Sequence, residues 1–526
     1  MESTMELNRR DFIKGGIAVG GLAAMAGLAG CGSGQASASA STGTGVPEQW
    51  DDEADIIAIG AGGAGLAAGI EAQTQGVSII ICESQAMVGG NSAICNGGIA
   101  IPGSPLQAEL GIDDSPDQMF EDLCAWFATD YDEGYVRMLC DLNGGDMYDW
   151  LTSMGVVFEA SGLLQSNGHS RPREHHVTPG ELINTLNQNA QAAGADIRLN
   201  TLVTRIIQNP ETKRILGVEI EQNGSTQYLK AKKAVLLCSG GYGRNKTMLN
   251  EWNFGPAVED MTVFNGSLGQ LGQGITMAMA LGADPRHLSY CGMLTVQNPD
   301  GQTGDACAMY HQGAVLVNLE GERFVNEAQG YTNVWSELLL QPENICWQVW
   351  DEPIAEACSE NESGYYSMSK IIETGLMVQA DTLEDLAAQM GIPADAFVAT
   401  MNQYNADIEG TGVDSAFGRA HLSGTGAAPV ALTTPPYYAF KTTSVVSSTY
   451  GGLKRWQEDH LQAVDVFGNV IPGLYLAGNI SDFCNMGIVP GTRRPINASG
   501  CSFGGSMSFG RKCVQEMAKL DNWDEA

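Results

Sequence analysis

The sequence predicts an α/β fold in which a Rossmann-like domain is interrupted by an inserted α+β capping domain. Three observations predict it. Asp55 to Glu83, DIIAIGAGGAGLAAGIEAQTQGVSIIICE, runs apolar strand, glycine turn, helix, strand. Apolar runs that break into glycines return much later, at Ala234 to Arg244 and at Gly473 to Asn479. Between them, from about 289 to 447, the glycine pattern fades into polar and aromatic segments such as YTNVWSELL and YYSMSK. A chain of 526 residues exceeds one ordinary core, and 44% hydrophobic with 17% charged residues is a globular composition.

The first stretch carries the most chemistry. Ile56, Ile57 and Ile59 suit a strand buried on both faces, and the run stops at Gly60. Gly60 permits a tight turn and Gly62 lets a pyrophosphate approach the backbone. Gly63 and Ala64 open a helix that reaches about Gln75, and Gly65 allows that helix to pack closely on the sheet. Unpaired amides and the positive dipole end at the helix start favour the phosphate anion. Glu83, followed by Ser84, closes the second strand, where its carboxylate would accept hydrogen bonds from a ribose hydroxyl. The stretch is a dinucleotide clamp. Next comes MVGGNSAICNGGIAIPGS, in which Gly89-Gly90 and Gly97-Gly98 flank Asn91 and Ser92 and allow backbone to lie against a large flat ligand.

The N-terminus reads as an address. Asn8 to Lys14 is NRRDFIK, a twin arginine ahead of an apolar stretch, Gly15 to Gly30, too short and glycine-rich for a membrane span. This resembles a Tat export signal. It ends Leu28-Ala29-Gly30-Cys31, which resembles a bacterial lipobox. Residues 1–31 are therefore expected to be a lipoprotein signal with Cys31 lipidated, and 32–53 a flexible linker. An uncleaved anchor helix is the alternative. The expected location is the outer face of the cytoplasmic membrane, at the cell surface or in the periplasm.

Charge and cysteines narrow the partners. Lysine plus arginine number 27 against 61 acids, and a net charge of -34 repels nucleic acid and anionic lipid, so no nucleic-acid partner is expected. The acidic surface suits a cationic protein, or simply keeps the chain soluble. Thirteen cysteines, scattered from Cys31 to Cys513, form no CxxC and no CxxCH, which argues against a zinc cluster, a ferredoxin-type cluster and attached haem. No metal is expected, and electrons must arrive from an external donor.

With both Gly-Gly pairs in view, the sequence resembles the FAD-dependent flavoprotein family that includes fumarate reductase, succinate dehydrogenase flavoprotein subunits, urocanate reductase and the 3-ketosteroid dehydrogenases. The resemblance spans nearly all of 54–515. It implies an FAD-binding domain in two parts, 54–288 and 448–526, around a capping and substrate domain at 289–447 that closes over the flavin and excludes water. In members with covalent flavin a histidine precedes the second Gly-Gly pair; the matching position is Asn91, which implies noncovalent FAD. Gly168 to His176 resembles a histidine-bearing loop near the flavin, making His169, Arg173 and His175 candidates for the cofactor's surroundings or for a structural hydrogen-bonding loop. Gly240, Gly241 and Gly243 resemble a second flavin-contacting turn, and Gln273 stands where an aspartate is usual in the next helix. Gly478 and Asn479 resemble the turn that closes on FAD. Ser499 to Ser506, with Gly500, Ser502 and Phe503, resembles the turn whose helix N-terminus faces the flavin's pyrimidine end and stabilises negative charge on the reduced ring. Asp113 to Met154 reads as amphipathic surface helices.

The chain departs from the family where dicarboxylates are held. Family members deliver a proton from an arginine shortly after an RFxNE segment; Arg323-Phe-Val-Asn-Glu327 lines up without a gap, and the donor position is Tyr331. The histidine before the Gly-Gly of the closing strand falls on Ser448, next to Tyr450, and Tyr290 to Thr295 holds no histidine where another is expected. Arg323, Tyr331, Ser448 and Tyr450 are the catalytic candidates. Tyr331 either protonates a carbanion or enolate, or packs in the cap. Arg493 and Arg494 bind a carboxylate or cap the closing loop. Without the histidine and arginine clamp a dianion loses its bidentate partners. The expected function is an exported FAD-dependent oxidoreductase that reduces an activated C=C bond in a small unsaturated molecule, aromatic or polycyclic, as a terminal reductase of anaerobic respiration fed by a membrane-associated multihaem cytochrome. Alternatives are a 3-ketosteroid-type dehydrogenase, a fumarate- or urocanate-type reductase, and a flavin electron-relay lipoprotein.

Overall fold

The computed structural model describes residues 45–127, 131–158, 163–165, 168–252, 266–288, 291–297, 308–329, 334, 337, 338, 340–360, 367–423, 426–482 and 498–523, with backbone alone at 291–297 and 444–447. The twin arginine, Cys31, Tyr290, Tyr331, Trp335, Arg493 and Arg494 lie outside the described residues. Among the described residues no helix is long and apolar enough to cross a membrane, and no cluster of His, Cys, Asp and Glu could hold a metal ion.

An eight-stranded sheet, counted among the described residues, forms the larger layer, in the order Gln462–Val464, Val470–Leu476, Ser225–Leu237, Asp52–Ile59, Ile79–Cys82, Asp196–Arg198, with Thr201–Gln208 and Ile215–Gln222 pairing off the long Ser225 strand. The central pairs are parallel. Ile59 lies beside both Cys82 and Leu237, and Leu237 beside Leu476, so four strands end level with one another. Ile56, Ile57 and Ala58 are fully buried, as a strand covered on both faces requires. The helix Gly63–Gln75 follows its strand at once and ends on left-handed Gly76. The last helix, Cys501–Met517, packs against it and buries Phe503, Met507, Phe509 and Val514.

The apolar run Ile197 to Ile206 forms two strands rather than one. Asn200 takes φ 49°, and the turn it makes lets Asp196–Arg198 pair in parallel with Ile79–Cys82 while Thr201–Gln208 turns back antiparallel to Ile215–Gln222. The segment expected to form the cap holds a second sheet, five-stranded among the described residues and built on the antiparallel ladder Cys291–Gln297, Tyr437–Thr449, Ile345–Asp351, Val315–Asn318, with Val378–Ala380 on the Tyr437 strand. Helix Ala394–Thr411 supplies Phe397 and Tyr404 to the core that also holds Trp350 and Phe440. The Tyr437–Thr449 strand runs past the expected boundary at 447/448, so Ser448 is held in the cap sheet opposite Gly292.

His169 and His175, which are buried, and His311, which is half-buried, are expected to make the fold acid-sensitive. Burial pushes His175 and His311 down to about 4 and also lowers His169. Each has a folded pKa below its unfolded value near 6.5, so the stability it contributes is whole above that value and is lost as pH falls towards 4. At 1.36 kcal/mol per pKa unit, His175 and His311 each contribute on the order of 3 kcal/mol across that window. The expected outcome is a melting temperature that falls continuously from pH 7 to pH 4.5. A flat profile down to pH 5 would contradict the buried neutral assignment.

Candidate cofactor and active site

Because the parallel strands end together, the loops that follow them converge: Gly60, Gly62 and Gly63, Ser239 and Gly240, and Ala477 to Asn479 line one cleft, ≈ 1670 Å³ including its open mouth. This is the carboxyl edge of the sheet, where open α/β folds bind ligands. Of the expected cofactor positions, Gly60, Gly62, Gly63, Ala64, Glu83, Ser84, Gly89, Gly90, Asn91, Ser92, Gly98, Gly240, Gly478, Asn479, Gly500, Ser502 and Phe503 line the cleft. Gly65, Gly97 and Gly241 stand behind its wall. A Cβ at Gly65 would lie 2.0 Å from the Gly60 carbonyl oxygen and at Gly97 2.0 Å from the Val177 oxygen, so these two let backbones touch, while at Gly241 it would lie 1.9 Å from Thr449 Oγ1, so that glycine makes room for a side chain rather than for a ligand. Over Gly62 the nearest atom to such a Cβ is Gly89 O at 3.7 Å, which leaves the approach open from the cleft.

The turn is stapled by its own acid. Glu83 Oε2 accepts from the Ala61 amide at 2.9 Å, and Oε1 accepts from the Gln85 amide at 2.9 Å and from Ser84 Oγ at 3.4 Å, leaving Oε2 a further lone pair to accept a hydroxyl. The second loop is locked on by Gly89 N donating to Ala61 O at 2.9 Å and by Gly63 N donating to Ser92 Oγ at 3.1 Å. Asn91 Oδ1 accepts from the Ser267 amide at 2.7 Å and bridges two lips of the cleft with a carboxamide, a group with no nucleophilic nitrogen for a flavin bond.

Two contributors are ordinary polar residues: Ser239 lies inside the Ala234 to Arg244 run, just before its glycines, and Gln270 belongs to no motif. Ser239 Oγ is buried in the cleft wall with no partner among the described residues, and a ligand hydroxyl or carbonyl would satisfy it. Gln270 holds the Gly241 amide at 3.1 Å and also lines the cleft, as does Gln273 three residues on. Together with the open approach over Gly62, these features fit the two ends of a dinucleotide.

At the other end, Ser502 Oγ donates to Asn479 Oδ1 at 3.2 Å and the Asn479 amide donates to Ser448 Oγ, so a hydroxyl–amide–hydroxyl chain joins the last helix to the cap strand. Tyr450, 5% exposed, lines the cleft beside them. Arg323, expected at the reaction centre, is elsewhere. Its guanidinium pairs with Glu327 at 2.7 Å and Asp414 at 2.7 Å and lies over the Tyr404 and Phe417 rings. Those carboxylates hold its pKa above the usual guanidinium range. Glu327 also accepts from the Leu316 amide at 3.0 Å and sits 3.5 Å from Arg419. Arg323 thus fixes the segment leading towards 330 and does not reach the cleft.

The 168–176 loop is mostly structural. Arg173, fully buried, is gripped by Asp114 at 2.8 Å and Asp122 at 2.6 Å. His175 turns away, donating from Nδ1 to Arg173 O at 2.8 Å, holding Ser104 Oγ at 2.7 Å and meeting the edges of Tyr148 and Phe158. His169 reaches the cleft wall through the Ser499 carbonyl at 2.7 Å, and Glu174 and His176 back it at Gly98.

A parallel sheet with this clamp, a second glycine turn, a closing turn and a helix aimed at one cleft defines a class of FAD-dependent oxidoreductases. Residues 55–494 match the family described as FAD binding domain, and the chain belongs to it. Residues 6–26 match the twin-arginine translocation pathway signal sequence, so the chain carries an export signal. It is 28% identical over 473 residues to a fumarate reductase (cytochrome) of Shewanella frigidimarina, covering 89% of this chain and 77% of that protein. It is 25% identical over 578 residues to a digoxin reductase of Eggerthella lenta, covering 98% of each. In fold it resembles a 3-ketosteroid-Δ4-(5α)-dehydrogenase from Rhodococcus jostii RHA1, with TM-score 0.70 at 24% identity over 90% of this chain and 98% of that one.

Proposed function

We propose that this protein is an exported terminal reductase that saturates a C=C bond next to a carbonyl in a neutral, aromatic or polycyclic substrate, with electrons from a membrane-associated multihaem cytochrome. The observation that carries the reading is the neutral Ser448–Asn479–Ser502 chain beside Tyr450 at the end of the cleft under the cap. Among the described residues lining the cleft, Glu83 is the only ionisable acid or base apart from thiols and the Tyr450 phenol, and it lies at the clamp. A dianion would find no fixed positive charge in those residues, whereas hydroxyl, carboxamide and phenol groups suit a polarised carbonyl. The digoxin reductase relative, matched along its whole length, agrees with a bulky substrate.

When bound and reduced by the external donor, the FAD would supply the hydride for such a bond. The chain's own residues would do the rest: the amides at the start of helix Cys501–Met517 would stabilise negative charge on the reduced cofactor, the cap would keep water out, and Tyr331 would donate the proton to the adjacent carbon. The test is a panel assayed with reduced viologen under nitrogen: fumarate, urocanate, a cinnamate, an enone steroid and an unsaturated lactone. Fastest turnover is expected on a neutral enone or lactone. Rapid fumarate reduction would return the protein to the dicarboxylate branch, oxidation of a 3-ketosteroid without reduction would make it a dehydrogenase, and flavin cycling indifferent to every compound would make it a relay.

The anchor belongs to the same reading. The twin-arginine match at 6–26 is followed by Cys31 in a lipobox-like context, and the diacylglycerol expected there supplies the two chains that stable anchoring needs. Cys31→Ala is expected to move the protein from the membrane to the soluble exported fraction. An unchanged membrane fraction would favour an uncleaved helix.

A further inference from the structure

We propose that His169 is a positioning residue for the cofactor: it latches the Ser499–Gly500 peptide with its carbonyl turned out of the cleft, so that the amide on its other side faces in. Arg173 can only donate, and its Nη1 lies 3.1 Å from His169 Nδ1, so Nδ1 is the acceptor and the ring proton sits on Nε2. Nε2–H therefore donates to Ser499 O at 2.7 Å. Burial, with the Arg173 charge second, lowers the His169 pKa and keeps the ring neutral in this tautomer. Asp114 and Asp122 in turn fix Arg173, so the imidazole is held rigidly from behind.

The consequence follows from peptide planarity. In a trans peptide the C=O and N–H point in opposite directions. Ser499 and Gly500 line the cleft and His169 does not, so a Ser499 carbonyl bound to His169 points the Gly500 N–H towards the cleft. The next peptide repeats the pattern, because Gly500 O accepts from the Ala100 amide at 3.1 Å and so turns the Cys501 N–H inward at the helix start. Nothing local prevents the first peptide from flipping: Gly500 sits at φ 72°, and a glycine after a peptide unit tolerates both orientations of that unit. A flip would present a carbonyl oxygen where a donor stood, opposing negative charge on the reduced cofactor. The latch rests on the reading that this helix faces the flavin's anionic end, and not on the identity of the substrate.

The experiment is a potentiometric titration of the holoenzyme without substrate, for wild type, His169→Phe and His169→Gln. Phenylalanine keeps the ring and removes both hydrogen bonds, whereas the glutamine amide restores a donor to Ser499 and an acceptor for Arg173. His169→Phe is expected to weaken binding of reduced relative to oxidised FAD ten- to hundredfold, lowering the midpoint by ~30–60 mV for a two-electron couple. His169→Gln is expected to recover most of it. An unchanged midpoint in a destabilised His169→Phe protein, or equal losses in both variants, would overturn the latch and leave His169 a packing residue. Should His169→Phe give no holoenzyme, 15N-histidine spectra of the wild type decide: the Nε2–H tautomer, identified by its loss in His169→Gln, is expected in oxidised and reduced protein alike, and an Nδ1–H or doubly protonated ring overturns the proposal. A shifted midpoint in an enzyme that reduces no member of the substrate panel would keep the latch and sink the proposed reaction.

Discussion

Tyr331→Phe is expected to lower turnover by about two to four decades, the usual worth of a positioned general acid, while flavin content and substrate binding hold. Tyr331 stands four residues after Glu327 in an ungapped register that begins at Arg323. The structure gives that register a fixed origin: Glu327, fully buried, is bound by Arg323 at 2.7 Å and by the Leu316 amide at 3.0 Å. A phenol with an unperturbed pKa near 10 is fully protonated at neutral pH and is a competent donor to a carbanion or enolate next to a carbonyl. Removing one oxygen abolishes the proton and little else, so kcat and kcat/KM should fall together with KM nearly constant. The measurement is steady-state reduction of the best panel substrate, with flavin absorbance as the control. A fully active Tyr331→Phe enzyme would place the acid elsewhere.

The clamp was legible in the sequence because its physics is local. Glycine spacing, the strand before it and the helix after it dictate one another within thirty residues, and the helix begins and ends where the pattern places it, at Gly63 and Gln75. What sequence reasoning missed depends on distant partners. Arg323 looks like a reactive residue beside Asn326 and Glu327, yet its role is set by Asp414, 91 positions on, and by the Tyr404 and Phe417 rings. The reach of His169 to Ser499 crosses 330 positions, and without it the loop is only a run of polar residues. Gln270 belongs to no motif, and Ser239 is only the residue before the glycines of its run; they matter because level strand ends deliver them to one cleft. The break at Asn200 was hidden because apolar residues continue on both sides of it and hydrophobic periodicity does not register a single left-handed residue.

Gly65→Val is expected to yield a folded protein with less than about a tenth of the wild-type flavin, because the third glycine of the clamp sets the distance between helix and turn. A Cβ there would sit 2.0 Å from the Gly60 carbonyl oxygen and 3.4 Å from Cys238 Sγ, and the first is backbone that no rotamer change can move aside. The helix start must retreat by more than 1 Å, roughly the gap between 2.0 Å and ordinary van der Waals contact near 3.5 Å, and the amide at Ala64 and the Gly63–Ser92 lock go with it. Hydrogen bonds to a pyrophosphate weaken steeply over such a distance. Gly180, in helix Pro179–Ala192, is the contrast: nothing lies within 4 Å of a Cβ there, so Gly180→Ala should keep its flavin and gain a few tenths of a kcal/mol up to ~1 from reduced unfolded-state freedom. The readout is flavin absorbance per chain after purification, followed by acid precipitation. Since Asn91 offers the flavin a carboxamide held by Ser267, wild-type and Gly180→Ala cofactor should appear in the supernatant and none in the pellet. Full flavin content in Gly65→Val would mean that the phosphates are held by the later glycine turns instead, and pelleted flavin would mean a covalent bond made by some other residue.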